Sequence, residues 1–182
     1  MIADPEFSRP VAIDAIGKGA TTHAIEANAE ERAALAERFD LEAIAGLSAR
    51  AEIHRDGSAI FANGHIDADV TQNCVVTGEL VSSLIAEEFA LRFVPEQPAG
   101  DEEEEIELSA DECETLPYVG GAIDLGEAAA QTMALALDPF PRSGNAPDAL
   151  REAGVISEEE AGPFGALKGL RDALTSKGDA KS

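Results

Sequence analysis

The sequence has no tryptophan, one tyrosine and seven phenylalanines. Aromatics make up 4% of its 182 residues against 45% hydrophobic residues overall, so any core must be built mainly from Ala, Val, Ile and Leu. Bases are scarce as well. Thirteen Lys and Arg stand against 36 Asp and Glu, for a net charge of −23. From Asp56 to Pro141 there are 19 acids and a single base, Arg92. Phosphate backbones are bound by Lys and Arg that displace counterions, so this stretch cannot form a groove that tracks RNA. No window approaches the run of about 20 apolar residues that a membrane-spanning helix needs. Met1 to Pro10 lacks a basic segment followed by an apolar one, so it does not read as a secretory signal. The only cysteines, Cys74 and Cys113, are too few for a disulfide framework, which predicts a reducing, cytoplasmic setting.

The signatures of common chemistries are missing too. There is no Gly-x-Gly-x-x-Gly, no P-loop and no His-Glu-x-x-His. The three histidines are His23, His54 and His65, and none has a nucleophile and an orienting group beside it in the pattern. The acidic run Asp101 to Glu105 lacks the spaced oxygen ligands and turn glycine of a calcium loop, so Glu102, Glu103, Glu104 and Glu105 are expected in a solvated loop. Cys74 alone cannot make a zinc site, which commonly takes four ligands, and reads as a small buried residue in a turn. No catalytic residue, cofactor, metal or small-molecule substrate is therefore expected.

What is present is a clear alternation. Arg9 to Ile13 and Thr21 to Ala27 read as strands. Asn28 is placed to cap a helix over 28–39, with Glu31 completing a capping box. A short helical turn is predicted over Leu41 to Ala45. Leu47 to Arg55 alternates apolar and polar residues, and Asp56-Gly57 signals a two-residue hairpin. A loop at Asp56-Gly57 pairs Arg55 with Ser58. It then sets Ile53 against Ile60, Ala51 against Ala62, Ala49 against Gly64 and Leu47 against Ile66, while His65 faces Ser48. Cys74 to Glu79 turns into a long strand with Val81, Ile85, Phe89, Leu91 and Phe93 on one face. Asp124 can cap a helix over 125–137 that buries Leu125, Ala128, Ala129, Met133, Leu135 and Leu137, and Asp138-Pro139-Phe140-Pro141 stops it. Ser143 to Pro147 reads as a linker. Near 163–174, Phe164, Leu167, Leu170 and Leu174 share one face of a short helix.

Four stretches, in this order, resemble the YceD family. They are Gly64-His65-Ile66-Asp67-Ala68-Asp69-Val70-Thr71-Gln72-Asn73-Cys74; the Cys74 to Glu79 turn with the strand after it; Gly121-Ala122-Ile123-Asp124-Leu125-Gly126-Glu127 through Pro141; and Pro163 to Leu170. The resemblance implies a role in accumulation of large-subunit ribosomal RNA without enzymatic activity. Many members carry Cys-x-x-Cys at the turn and a further cysteine after the Pro-containing segment. Here Thr77 takes the second position and Arg142 lies near the late one. Cys74 is thus a remnant of the motif, and hydrogen bonds and packing are expected to hold the turn in place of zinc.

The expected fold is α+β: a mostly antiparallel sheet made of the N-terminal strands, the hairpin and the strand after Cys74, packed against two main helices. Residues 1–142 would form the domain and 143–182 a partly ordered C-terminal appendage. The expected partner is a basic ribosomal or rRNA-processing protein, with ribosomal RNA involved indirectly. Candidate contacts are the Glu102 to Glu105 run and the stripe Phe164, Leu167 and Leu170, which would otherwise dock on the sheet. The rival expectation is direct RNA binding through the less acidic N- and C-terminal parts.

Overall fold

A computed structural model of the chain describes residues 5–96 and 114–155. Its strands are β1 (Pro10–Ala12), β2 (Thr21–Glu26), β3 (Ala43–Asp56), β4 (Ala59–Asn73), β5 (Leu80–Pro95), β6 (Glu114–Tyr118) and β7 (Ala122–Asp124). Its helices are α1 (Ala29–Arg38), α2 (Leu125–Ala136) and α3 (Ala146–Glu152). β2-β3-β4-β5-β6 form one sheet, antiparallel except for the parallel β5–β6 pair, and β1 pairs with β7 in a small separate sheet. The class is α+β, as the sequence predicts. The first N-terminal strand is not part of the main sheet, however. The short parallel strand β6 and the helix α3 carried no strong sequence pattern.

β3 and β4 form the hairpin, but with the loop one residue later and the register moved by two. Asp56 pairs with Ala59, Ile53 with Ala62, Ala51 with Gly64, Ala49 with Ile66 and Leu47 with Ala68. The loop is Gly57-Ser58, and Gly57 at φ 60° supplies the positive φ that a type II′ turn needs at its first central position. A shift of two preserves faces, so Ile53 and Ile60 are both buried although they do not oppose each other. Packing accounts for the choice. The observed register sets Ile53, Ile66 and Leu47 against Ala62, Ala49 and Ala68, whereas the expected one would oppose Ile53 to Ile60 and Leu47 to Ile66. Gly64 lies so close to the Arg50 carbonyl and to the Ala51 Cα that a Cβ would collide with backbone.

The helical turn predicted over Leu41 to Ala45 is instead the start of β3. The Glu42 amide donates to the Thr71 carbonyl (2.9 Å), Ala43 and Ile44 pair with Thr71 and Val70, and a bulge falls between Ile44 and Gly46. Pairing with the long β4 outweighs the weak local preference for helix. β4 and β5 pair without a break from Ile60–Phe93 to Asn73–Leu80.

α1 and α2 lie on one face of this sheet, α1 against β3 and α2 against β4 and β5. Asn28 caps α1 with the full capping box, and Asp124 caps α2 by accepting from Gly126 and Glu127. Arg38 of α1 ties the helices together, reaching Glu127 at 2.7 Å and Glu6 at 2.8 Å. Phe7 is fully buried, and its chain crosses α2 so closely that Gly126 has no room for a Cβ beside the Phe7 carbonyl. Ile53, Ile60, Ile66, Val70, Leu125 and Met133 complete the centre of the core. Leu135, expected inside, is 74% exposed because it falls on the outer side of α2. The opposite face of the sheet is bare among the described residues.

Candidate interaction surface

The bare face carries rows of side chains that cross β3, β4 and β5. One row is His54, Phe61 and Arg92; the next is Glu52, Asn63 and Ala90; then Arg50, His65 and Glu88; then Ser48, Asp67 and Ala86; then Gly46, Asp69 and Leu84. His54 and Phe61 stack, with ring centroids 5.3 Å apart. His65 faces Arg50 rather than Ser48, so His54 and His65 are four residues apart along the sheet. That is about 13 Å at 3.3 Å per residue, too far to share a metal or a proton. A polar depression of about 380 Å³, lined by Thr22, Arg50, Glu52, Asn63, Gly64 and His65, opens on this face. Among the described residues no three His, Cys, Asp or Glu side chains converge as a metal site would require.

The acids divide into two groups. Some are used by the fold. Asp124 caps α2 and accepts from the Ser8 hydroxyl (2.6 Å) and the Arg9 amide (2.8 Å). Glu31 pairs with Arg9 and Glu127 with Arg38, and those cations hold both carboxyls below the usual range. Others have no Lys or Arg partner among the described residues; they include Asp67, Asp69 and Glu88 on the bare face and Glu87 on the other face of β5. Asp67 is diagonal to Glu88 across the strand pair, a spacing at which like charges repel. The nearest charged contact of Asp67 is His65 at 3.7 Å, a cation only when protonated. The fold therefore tolerates a small electrostatic cost on this surface, which contributes nothing to packing.

At the far end of β4 the chain turns at Cys74, which is buried. Its amide donates to the Glu79 carbonyl (2.7 Å) and its carbonyl accepts from Gly78 (2.9 Å), where φ of 72° favours glycine. The Cys74 sulfur accepts from the amides of Thr77 (3.4 Å) and Ser143 (3.2 Å). Burial pushes the thiol pKa up, but these donors outweigh it and bring it down to about 6. The Thr77 and Ser143 hydroxyls meet at 3.0 Å, Asn145 donates to Glu79 (2.9 Å), and the Val75 amide donates to the Pro141 carbonyl (2.9 Å). Donors from Ser143, Asn145 and Thr77 hold the Glu79 carboxyl below its usual range. The residue that meets Cys74 is thus Ser143 rather than Arg142. The supposed linker from Ser143 is docked on the turn and runs into α3, with Ala146 fully buried. One thiol and two hydroxyls, already engaged with one another, do not fit zinc, whose structural sites are built from thiolates and imidazoles.

A family model for the large ribosomal RNA subunit accumulation protein YceD matches residues 62–171. The chain belongs to the YceD family. The match covers β4, the Cys74 turn, β5 and α2, so both the unpartnered acids and the turn lie within the YceD segment, while β2, β3 and α1 precede it. The family is described by accumulation of large-subunit ribosomal RNA, which places the chain in that process. Searches of curated proteins and of solved structures give no match. No helix among the described residues is long and apolar enough to cross a membrane.

Cys113, Glu102, Glu103, Glu104, Glu105, Phe164, Leu167 and Leu170 lie outside the described residues. The sequence pattern did not single out Ser143 and Asn145, although Ser-Gly-Asn after a proline segment is a turn signal that could have marked them. It also missed the exposed Leu80 and Leu84 of β5. They occupy the polar positions of the alternation, so they could be mistaken for extra core.

Proposed function

We propose that the chain is a non-catalytic cytoplasmic factor that supports accumulation, processing or assembly of large-subunit ribosomal RNA mainly through protein contacts. Its partner is a basic ribosomal or rRNA-processing protein, and ribosomal RNA is reached through that protein. The observation that carries this reading is the set Asp67, Asp69 and Glu88, exposed on the bare face with no Lys or Arg partner among the described residues, with Glu87 exposed beside them on the other face of β5. A field of one sign attracts opposite charge and repels a phosphate backbone. The acidic run Glu102 to Glu105, in the connection between β5 and β6, adds to the same field. Residues 1–142 are the domain in this proposal. Residues 143–182 are the appendage, anchored at its start on the Cys74 turn and offering Phe164, Leu167 and Leu170 as a second contact.

A second reading, direct RNA contact, is favoured by one feature: the His54–Phe61 stack beside Arg92, whose Nε is buried without a hydrogen-bond partner. Aromatic side chains on a sheet can stack on bases. Glu52 and Glu88 stand close by on the same face and oppose it.

The test is complementation in cells that lack the protein. Wild type restores the ratio of large- to small-subunit ribosomal RNA, and the D67N/D69N/E87Q/E88Q variant restores it poorly. Full restoration by a stably folded variant contradicts the proposal.

A further inference from the structure

We propose that the edge of β5 over residues 80–90, unpaired among the described residues, receives an extended basic segment of the partner protein as an added strand. This inference rests on the protein-contact reading above and assigns it a surface and a mode of binding. β5 runs from Leu80 to Pro95, yet β6 covers only Leu91 to Pro95. Over residues 80–90 the strand pairs with β4 on one side and, among the described residues, with nothing on the other. An edge of this kind leaves alternate N–H and C=O groups pointing outward, ready to pair with another chain.

Natural edges are usually blunted by proline, by bulges or by brevity. The other two edges of this sheet are. β2 is six residues long, and β6 is five and contains Pro117. The β5 edge has no proline or glycine, and its register with β4 is unbroken. It also presents Leu80 and Leu84, 61% and 83% exposed, on the same side of the strand as Glu88. The one feature that guards it is charge. Glu87 and Glu88 sit on the edge strand, and Asp67 and Asp69 on the strand behind. A second copy aligned on these glutamates would place like charges opposite each other, which is unfavourable. A strand with adjacent bases in one half and apolar residues in the other is accepted: one base meets Glu88 on the open face, its neighbour meets Glu87 on the other face, apolar side chains cover Leu80 and Leu84, and its backbone completes the ladder. The edge therefore rejects itself and selects a cationic extended chain.

Hydrogen exchange on the full-length protein tests this. The probe is a synthetic lysine–valine peptide of about ten residues, with adjacent lysines in one half and valines in the other, and a second version is N-methylated on the amides that would face β5. The expected result is that alternate amides within residues 80–90 exchange at least about tenfold more slowly with the first peptide. The N-methylated peptide gives no such protection, and E87Q/E88Q weakens binding by about fivefold. Binding of the first peptide without protection in 80–90 overturns the edge assignment and leaves the protein-contact reading standing. Failure of the first peptide to bind overturns both. Protection of these amides before any peptide is added means that another segment or a second copy already fills the edge, and it also overturns the proposal.

Discussion

Neutralising the four unpaired acids should make the protein more stable and less able to bind. In D67N/D69N/E87Q/E88Q each new side chain is nearly isosteric, and among the described residues none of the four carboxylates caps a helix or pairs with a Lys or Arg. What is lost is repulsion. Same-face and diagonal neighbours such as Asp67–Asp69 and Asp67–Glu88 stand about 7 Å apart. In water that separation costs about 0.6 kcal/mol per pair, and screening at physiological ionic strength cuts it to roughly half. Two such pairs give a gain of about 0.6 kcal/mol, or about 1–2 °C in Tm for a chain of this length. Binding moves the other way. With the steering field weakened, association with a basic partner should slow by about tenfold at low salt, and the difference should shrink as salt is raised. Thermal unfolding and stopped-flow association with the lysine–valine peptide measure the two effects side by side. A lower Tm would show that these carboxylates support the fold. An unchanged association rate would show that the surface is not the contact, and either result refutes the reasoning.

The remaining predictions concern the turn, the hairpin and the tail. The Cys74 thiol is depressed to about 6 in the folded protein and returns to about 8.5 when unfolded. Its contribution to stability is therefore present above about 8.5 and is lost as pH falls through about 6. Urea midpoints of the wild type should fall over that window relative to those of C74A; parallel profiles would contradict this. Gly64→Ala forces a Cβ onto the Arg50 carbonyl and should cost about 2 kcal/mol in chemical denaturation, because the obstacle is backbone. A cost near zero would mean that β3 and β4 can separate freely. Truncation after Val155 removes Phe164, Leu167 and Leu170 and keeps α3. It should leave Tm nearly unchanged and weaken partner binding, whereas a large fall in Tm would assign the stripe to the core.

Much of the fold was legible because local and long-range signals agree. Asn28 with Glu31, and Asp124 before an alanine-rich run, mark helix starts whose capping geometry the structure reproduces. The hairpin faces were legible from alternation, but the register was not. A shift of two residues leaves every face unchanged, and only the space at Gly64 and the large-against-small pairing decide it. The helical turn at Leu41 to Ala45 was misread because pairing with β4 is a long-range effect absent from local pattern. The linker at Ser143 was misread for the same reason: its anchors, Cys74, Thr77 and Glu79, lie more than sixty residues earlier in the chain. The acidic character of the site was visible from composition. Which acids were free was not, because Glu127 looks no different in sequence from Asp67 and Glu88.

The central claim is that this acidic YceD chain recognises a basic protein and does not hold RNA itself. Fluorescence anisotropy of the labelled full-length protein tests it most directly, with purified large-subunit ribosomal RNA in one titration and individually purified basic large-subunit proteins in another. The account predicts saturable, salt-sensitive binding to at least one basic protein and none to naked RNA. Tight binding to the RNA with no response to any of the proteins would contradict it.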